Sequence, residues 1–253
     1  MNTEKKTLKE PSLSLSQAWE NEAQRWATWA RKPPNDTYWQ FHRDQFFTLL
    51  PAPGMLTVDV GCGEGRLSRD LKRLRYKVIG IDASATLIRL AREEDPKGKY
   101  FHASASCMPL EDACADLAIA FLSLQDVDDL EPSVLEIARV LQKGGRACLA
   151  IVHPINSAGK FASEEADSEF IIKDSYLDEY RYSDWFERDG LEMTFYGQHR
   201  PLERFSRALE QAGMVIEAIR EHRVPDHAAG KPGARRWQRL PLFMHIRALK
   251  LAR

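Results

Sequence analysis

Two aspartates and a series of alternating glycines are the residues whose types and spacing best suit the binding of a ligand. Asp59 is closely followed by Gly61, Gly63 and Gly65, and Asp82 ends the next apolar run of the chain. Glycine adopts left-handed backbone torsions and lets a ligand approach the main chain without a Cβ in the way. The amide groups at the start of a following helix point into the same space. We therefore expect these glycines to form a cofactor-binding loop.

The third small residue of such a loop distinguishes loops that bind dinucleotides from loops that bind other cofactors. Dinucleotide-binding loops follow the pattern G-x-G-x-x-G/A, because the third small residue lets the helix pack closely on the strand. Gly61 and Gly63 match this pattern, but Arg66 stands at the third small position. The chain also lacks a recognisable catalytic Tyr/Lys pairing, so an NAD-linked oxidoreductase is disfavoured. A non-catalytic binding module that kept the fold is a further alternative, and the intact Asp59, glycine turn and Asp82 argue against it.

An alternation of short apolar runs and helical patterns positions these residues. It begins after residue 54 and is typical of a doubly wound parallel sheet. We predict an α/β fold with a Rossmann-like, seven-stranded, mostly parallel sheet and helices on both faces. The predicted strands are residues 56–60, 77–82, 99–103, 116–121, 147–152, 215–220 and 242–249.

Two further regions precede and interrupt this alternation. The first is rich in aromatic residues at helical spacing and predicts an N-terminal helical lid, with a polar, frayed segment up to about residue 14. The second lacks a β-α unit and predicts an inserted acceptor cap, in which Asp189-Gly190 indicates a β-hairpin. The predicted regions are the lid (1–54), the cofactor-binding core (55–153), the cap (154–200) and the C-terminal part of the core (201–253).

The helices of the lid have two interpretations. They either pack on the edge of the domain, or they cover the cofactor and the acceptor with Tyr38 and His42 facing the site. The cap has a similar ambiguity, because its aromatic residues are suited either to an apolar acceptor pocket or to a small core of the cap itself. These cap residues are Phe161, Phe170, Tyr176, Tyr182, Trp185 and Phe195.

Composition and charge exclude several classes of function. The 253 residues carry a formal net charge of -1, whereas binding to nucleic acid favours a clearly basic face. No apolar run approaches the roughly 18 residues that a membrane span needs. The four cysteines show neither a CxxC pair nor a metal-like spacing with histidines. We therefore expect a cytoplasmic protein with free thiols and no metal site, and no pattern indicates its oligomeric state.

The order of the motifs resembles that of the class I S-adenosylmethionine-dependent methyltransferases, in particular the broad family that includes the ubiquinone/menaquinone C-methyltransferases. The resemblance covers about residues 55–152, and it implies S-adenosyl-L-methionine as the cofactor. The segments that carry it are residues 58–65, 79–84, Pro109, 116–121 and 141–146.

The resemblance also implies roles for individual residues. Asp59 would order the glycine turn or pair with the amino group of the cofactor, and Asp82 would accept hydrogen bonds from both ribose hydroxyls. The alternative for Asp82 is a capping role at the helix that follows Ser84. Many members of the family have Asp near position 104, where this chain has Ser104. The expected cofactor-binding residues are Asp59, Gly61, Cys62, Gly63, Asp82, Ala83, Ser104, Ala105 and Phe121.

The methyl acceptor is expected to lie at the carboxyl ends of the strands, where ligands bind in such sheets. His153 and His199 are the candidate catalytic residues, with a structural histidine as the alternative for each. Gln125 and Asp126 follow the fourth predicted strand and are suited to contact the acceptor, or to lie in a solvated loop in the case of Asp126. The cap resembles a bacterial subgroup of these methyltransferases, which implies a small-molecule acceptor. We therefore expect methyl transfer to an oxygen or nitrogen of a small molecule.

Overall fold

The computed structural model describes residues 3–8, 13–33, 36–230 and 233–251. In chain order its strands and helices are β1 (Thr3–Leu8), α1 (Leu15–Ala30), α2 (Arg43–Phe47), β2 (Thr57–Val60), α3 (Arg66–Arg73), β3 (Val78–Asp82), α4 (Ala85–Glu94), β4 (Lys99–His102), β5 (Ala115–Phe121), α5 (Leu130–Val140), β6 (Leu141–Val152), α6 (Pro154–Ala158), β7 (Lys160–Phe161), β8 (Phe170–Ile171), β9 (Tyr180–Arg188), β10 (Leu191–His199), α7 (Leu202–Gln211), β11 (Met214–Glu221) and β12 (Phe243–Lys250). A π-helical segment, Tyr38–His42, leads directly into α2.

The predicted sheet is confirmed. Its seven strands lie in the order β11-β12-β6-β5-β2-β3-β4. The strand β12 runs antiparallel to both of its neighbours, and the other pairings within β6-β5-β2-β3-β4 are parallel. The central strands β2 and β5 are buried along almost their whole length, because helices cover both faces of a sheet of this kind.

Each face of the sheet has its own layer of helices. On one face, α5 and α7 contribute Ile137 and Leu209 to the largest apolar cluster of the molecule. On the other face, α2 and α3 contribute Phe46 and Leu71 to a second cluster. No helix among residues 13–33, 36–230 and 233–251 is long and apolar enough to cross a membrane.

Two boundaries differ from the sequence-based prediction. The strand β6 begins directly after α5, because Leu141 pairs with Ala115 before the register shifts toward Leu117. The predicted frayed N-terminus is wrong for residues 3–8, which pair antiparallel with β9 from Thr3 opposite Phe186 onward. That pairing joins distant parts of the chain, so no local pattern indicates it. The remainder of the predicted frayed segment includes residues 1, 2 and 9–12, which lie outside the described residues.

The lid helix α1 is bound to two parts of the core. Its start carries a capping box in which Ser14 and Gln17 satisfy each other's backbone amides. Glu20 accepts hydrogen bonds from the hydroxyls of Ser84 and Thr86 at the start of α4. On another side of the helix, the Trp19 indole donates to the Tyr196 carbonyl of β10 at 3.1 Å. The helix α1 therefore connects the core to the cap.

The predicted hairpin of the cap is present. The strands β9 and β10 pair antiparallel, with Arg188 opposite Leu191. Asp189 and Gly190 have φ values of 52° and 72°, which fits the left-handed torsions of a two-residue type I′ turn. The hairpin and β1 form a separate three-stranded sheet beside α1.

Candidate cofactor and acceptor site

A cavity of about 710 Å³ lies at the carboxyl ends of the central strands. Its wall includes residues at or just after the ends of β2, β3, β5 and β6, namely Gly61, Asp82, Phe121 and Val152. The lid helix α1 and the hairpin β9–β10 supply the other side of the wall. The volume lies in the range of small-molecule and cofactor sites, roughly 300–1,000 Å³.

The glycine loop is held by main-chain hydrogen bonds. The amides of Gly61 and Cys62 both donate to the Ile81 carbonyl, at 2.8 and 2.9 Å. Gly61 has a φ of 72°, and a Cβ on it would overlap with Cβ of Ser123 and lie 2.8 Å from its hydroxyl oxygen. That hydroxyl donates to the Val60 carbonyl at 2.6 Å. Glycine is therefore required at position 61 both by the torsion and by the close approach of the loop after β5.

Asp82 joins the glycine loop to the start of α4. Its carboxylate accepts hydrogen bonds from the Gly63 amide at 2.7 Å and from the Ser84 amide at 2.8 Å. Burial raises the pKa of this carboxyl group. The N-cap of α4 is Ser84, whose hydroxyl accepts from the Leu87 amide at 3.0 Å. The carboxylate of Asp82 therefore orders the loop and lines the cavity, while Ser84 caps the helix.

Asp59 lies behind the loop with only 1% of its surface exposed. Its carboxylate accepts a hydrogen bond from the Ser68 hydroxyl at 2.6 Å. Burial, against the Ser68 hydrogen bond that lowers it and with a smaller contribution from the charge of Asp82, raises the pKa of Asp59 to about 7. A nearby cation favours the ionised form of such a group. Asp59 is therefore suited to respond to a positively charged ligand near neutral pH.

The other predicted cofactor residues line the same cavity. They lie at the ends of four strands, β2, β3, β4 and β5, or in the loops that follow them. The His102 ring contacts the Ala83 carbonyl at 3.0 Å, and the Ser104 hydroxyl accepts from the Ser106 amide at 3.2 Å. Contact of each residue with the cofactor stays a prediction. These further residues are Cys62, Gly63, Ala83, Ser104, Ala105 and Phe121.

His153 and His199 do not line the cavity as the structure describes it. His153 caps α6, where its Nδ1 accepts from the Ile155 amide at 3.1 Å, and its Nε2 lies 2.7 Å from Glu221. His199 lies between the Ser157 hydroxyl at 2.7 Å and the Tyr176 carbonyl at 2.8 Å. Both ring nitrogens of each residue thus have protein partners. The catalytic role stays a prediction that the position of neither side chain supports.

The expectation that Tyr38 and His42 face the site is wrong, because both side chains point into the core. The Tyr38 hydroxyl donates to Asp70 at 2.8 Å. The His42 ring stacks on Phe243 with centroids 3.8 Å apart, and its Nε2 lies 2.9 Å from Nε2 of His245. The lid reaches the cavity through α1 instead, with three tryptophans in its wall: Trp19, Trp26 and Trp29.

These tryptophans meet the hairpin in an interlocked aromatic group, which we call the Phe195 cluster. Four rings surround Phe195 edge to face, at centroid distances between 5.4 and 6.4 Å. One of them, Trp26, also stands beside the glycine loop, since a Cβ on Gly63 would lie 3.4 Å from its Nε1. The surrounding members are Trp19, Trp26, Trp29 and Phe186.

The aromatic residues of the cap divide between the two interpretations. Tyr182 and Phe195 line the cavity. Phe161 and Phe170 instead pack on Trp237, with centroids 4.9 and 6.3 Å away. The cap therefore packs part of its aromatic side chains on Trp237 in the C-terminal part of the chain and contributes others to the wall of the cavity.

The loop after β5 supplies polar groups to the cavity wall. Leu122, at its start, has a φ of 53°, which is unusual for a residue with a side chain. Gln125 and Asp126 follow, and the Gln125 amide nitrogen donates to Asp126 at 2.9 Å. The Asp126 side chain is half-buried, and burial raises its pKa well above the usual value. The interpretation of Asp126 as part of a solvated loop is therefore wrong.

No group of three or more potential metal ligands occurs among residues 13–33, 36–230 and 233–251. The polar groups in the wall of the cavity include carboxylates, hydroxyls, amides, main-chain groups and the guanidinium groups of Arg66 and Arg188. Such groups suit an organic ligand.

The fold, the glycine loop and the two aspartates define the class of this protein. It has the fold of the class I S-adenosylmethionine-dependent methyltransferases, a class whose cofactor is S-adenosyl-L-methionine. Residues 58–149 match a sequence family described as "Methyltransferase domain". The core of the chain thus matches a methyltransferase domain, in agreement with the motifs, while membership of the quinone C-methyltransferase subgroup is not specifically shown.

Similarity to characterised sequences is confined to part of the chain. A malonyl-[acyl-carrier protein] O-methyltransferase from Pectobacterium atrosepticum is 31% identical over 103 residues, which are 40% of this chain and 41% of that protein. An O-methyltransferase from Pyrenophora dematioidea is 33% identical over 109 residues, again 40% and 41% of the two chains. The chain thus matches about two-fifths of the length of these relatives.

Similarity to solved structures extends further and concerns the fold alone. An S-adenosylmethionine-dependent methyltransferase from Mesorhizobium loti superposes with a TM-score of 0.70 at 24% identity, covering 86% of this chain and 100% of that one. A second such protein, from Methanosarcina mazei, has a TM-score of 0.58 at 19% identity and covers 83% and 98% of the two chains.

Proposed function

We propose that this protein is an S-adenosylmethionine-dependent methyltransferase that acts on an oxygen or nitrogen atom of a small molecule. The observation that carries the proposal is the placement of Asp59, the glycine loop and Asp82 on the wall of one cavity. The division of the chain into lid, core, cap and C-terminal part of the core suits this function, because the lid and the cap would cover the cofactor-binding core.

The residues present fit the cofactor. Asp82 stands at the end of β3, where its carboxylate can accept the ribose hydroxyls in addition to the Gly63 and Ser84 amides. Gly61 and Gly63 leave main-chain groups accessible to the methionine part of the cofactor. Asp59 adds negative charge behind the loop, and the Trp26 ring adds an aromatic face, which together suit a cation. The bound cofactor supplies an activated methyl group, so the protein has mainly to align the two reactants and exclude water.

The acceptor is proposed to bind between the lid, the hairpin and the loop after β5. Relatives whose names print an O-methyltransferase activity support oxygen as the acceptor atom. The aromatic lining from α1 and β10 supports a small molecule with an apolar part. The division of the chain into lid (1–54), core (55–153), cap (154–200) and C-terminal part of the core (201–253) belongs to the same proposal.

Titration calorimetry with S-adenosylhomocysteine tests the cofactor. We expect the unaltered protein to bind it, and Asp82→Asn to bind at least about 30-fold more weakly, because hydrogen bonds to a charged group contribute about 1.5–3 kcal/mol each. A matched control is Asp112→Asn, which removes the charge of an exposed carboxylate that pairs with Arg139. This control should bind like the unaltered protein. Absence of binding at millimolar ligand, or unchanged affinity in Asp82→Asn, would contradict the proposal.

A further inference from the structure

Three side chains form a polar corner of the cavity wall: Gln125, Asp126 and Asp184. Two of them lie in the loop after β5, and the third lies on β9. Because β5 and β3 flank β2 on opposite sides, the loop after β5 and Asp82 lie on opposite sides of the glycine loop. The polar corner is therefore on the acceptor side of the cavity.

Gln125 has an unsatisfied hydrogen-bond acceptor. The side chain is 5% exposed, and its Oε1 atom has no hydrogen-bond partner among the described residues. Its amide nitrogen donates to Asp126 at 2.9 Å. This contact uses one hydrogen of the amide group and leaves the Oε1 atom of Gln125 as the end without a partner. Leaving a buried carbonyl without a donor costs free energy, and the cavity beside Gln125 is the space from which a ligand can supply one.

The charges near the polar corner favour the same kind of ligand. Burial raises the pKa of the Tyr182 hydroxyl far above its usual value, and the negative charges of Asp184 and Asp126 raise it further. Both carboxylates therefore act on the same part of the wall. Two arginines are nearby. Arg200 lies behind the corner and is bound to the carbonyls of Leu124 and Val127.

The other arginine, Arg188, is part of the cavity wall and belongs to the lid side of the cavity. Its guanidinium lies over the Trp29 ring, 5.3 Å from the centroid. The charge of Asp36 acts on it there. The polar corner itself is thus defined by oxygen atoms that accept hydrogen bonds and by two carboxylates.

We propose that the acceptor molecule presents an O–H or N–H group, neutral or cationic, to the polar corner, where Gln125 Oε1 receives its hydrogen bond, and that carboxylates are excluded. A carboxylate has no hydrogen to donate to Gln125 Oε1, and it would place its negative charge beside that carbonyl oxygen and the carboxylate of Asp184. The inference rests on the proposed function, because the corner is the acceptor side of the same cavity. The exclusion of carboxylates would distinguish this chain from enzymes that methylate a carboxylate.

Three probes of similar shape test the inference: benzylamine, benzyl alcohol and benzoate. Their binding is measured by saturation-transfer NMR and competition on the unaltered protein saturated with S-adenosylhomocysteine. We expect benzylamine and benzyl alcohol to bind at least about tenfold more tightly than benzoate, the factor that one hydrogen bond is worth. The ranking of the three probes needs no variant.

The side chain is tested with Gln125→Leu, which keeps the approximate size and removes the acceptor atom. We expect about a tenfold loss of affinity for benzylamine and benzyl alcohol, with no loss for S-adenosylhomocysteine. The matched control is Gln45→Leu on the surface, where the amide donates only to the Arg223 carbonyl. This control should leave the affinities for all of the probes unchanged.

Three outcomes would overturn the inference: benzoate binding as tightly as the other probes, no binding of the amine and the alcohol, or no effect of Gln125→Leu. Calorimetry with S-adenosylhomocysteine on the same samples separates the two proposals. Failure of the unaltered protein to bind S-adenosylhomocysteine contradicts the proposed function. Normal binding of S-adenosylhomocysteine combined with any of the three outcomes overturns the polar corner alone.

Discussion

The two halves of the cavity are built in different ways. The donor half consists of Asp59, the glycine loop and Asp82, which lie close together in the sequence and are joined by main-chain hydrogen bonds to two neighbouring strands. The acceptor half combines α1, the loop after β5 and the hairpin β9–β10, which are far apart in the sequence. The donor half is therefore specified by neighbouring residues in the sequence, whereas the acceptor half forms only when distant segments pack together.

The largest effect is expected in the donor half, from Gly61→Ala. Gly61 and Gly190 share a φ of 72°, but only a Cβ on Gly61 meets other atoms, which belong to Ser123. The overlap should displace the loop and break its hydrogen bonds to the Ile81 carbonyl. We expect at least about a 100-fold loss of affinity for S-adenosylhomocysteine, measured by calorimetry.

The matched variant, Gly190→Ala, isolates the cost of the torsion. It should lower the free energy of unfolding by about 1 kcal/mol through left-handed strain, and it should leave the affinity for S-adenosylhomocysteine unchanged. Equal effects of the two variants on that affinity would show that the close approach of Ser123 is unimportant.

Acid should act with opposite signs on the donor half and on a buried histidine pair outside the cavity wall. Burial raises the pKa of Asp59 in the donor half from 3.8 to about 7, so this group stabilises the folded state as pH falls. The buried pair of His42 and His245 instead joins the π-helical segment Tyr38–His42 to β12. Burial and the neighbouring charge of His222 lower the pKa of His245 from 6.5 to about 3. Burial, with His245, Arg66 and His222, also lowers the pKa of His42.

A histidine with a lowered pKa stays neutral in the folded protein at a pH at which the unfolded chain binds a proton. Its contribution to the stability of the folded state is therefore lost as the pH falls below 6.5. By linkage, His245 alone should cost about 2 kcal/mol of unfolding free energy between pH 7.5 and 5.0. Urea titrations at both pH values, on the unaltered protein and on the double variant His42→Leu/His245→Leu, isolate this contribution from that of Asp59. An identical pH dependence in both proteins would contradict the assignment.

The same contrast explains what the sequence could and could not predict. Gly61, Gly63 and Asp82 follow short apolar runs, so local patterns place them at strand ends and bring them to one edge of the sheet. The three tryptophans of α1 have helical spacing, which indicates a shared face but not what that face covers. The turn at Asp189-Gly190 is predictable because an Asp-Gly pair readily adopts the left-handed torsions of a two-residue hairpin turn. The direction in which the hairpin leans depends instead on its packing against α1.

Histidines were the least reliable guide to chemistry. His153 is a candidate because it follows the fifth predicted strand and His199 because it leads out of the cap, yet both rings lie outside the cavity wall and both nitrogens of each ring have protein partners. Gln125 was indicated only by its position after the fourth predicted strand, since an amide has no charge change to suggest catalysis. Its importance follows from burial and from one unsatisfied atom, and both are properties of the fold.

The smallest effect should come from Phe195→Ala, which opens the acceptor half without touching the glycine loop. Phe195 has edge-to-face contacts with Trp19, Trp26 and Trp29, so its removal should loosen the junction of lid and hairpin. We expect about a tenfold loss of affinity for benzyl alcohol and less than about a threefold change for S-adenosylhomocysteine. Phe170→Ala, which removes a ring packed on Trp237 outside the cavity wall, should change neither affinity. Equal losses for both ligands in Phe195→Ala would mean that the two halves are one cooperative unit, because the donor half would then depend on the packing of the lid.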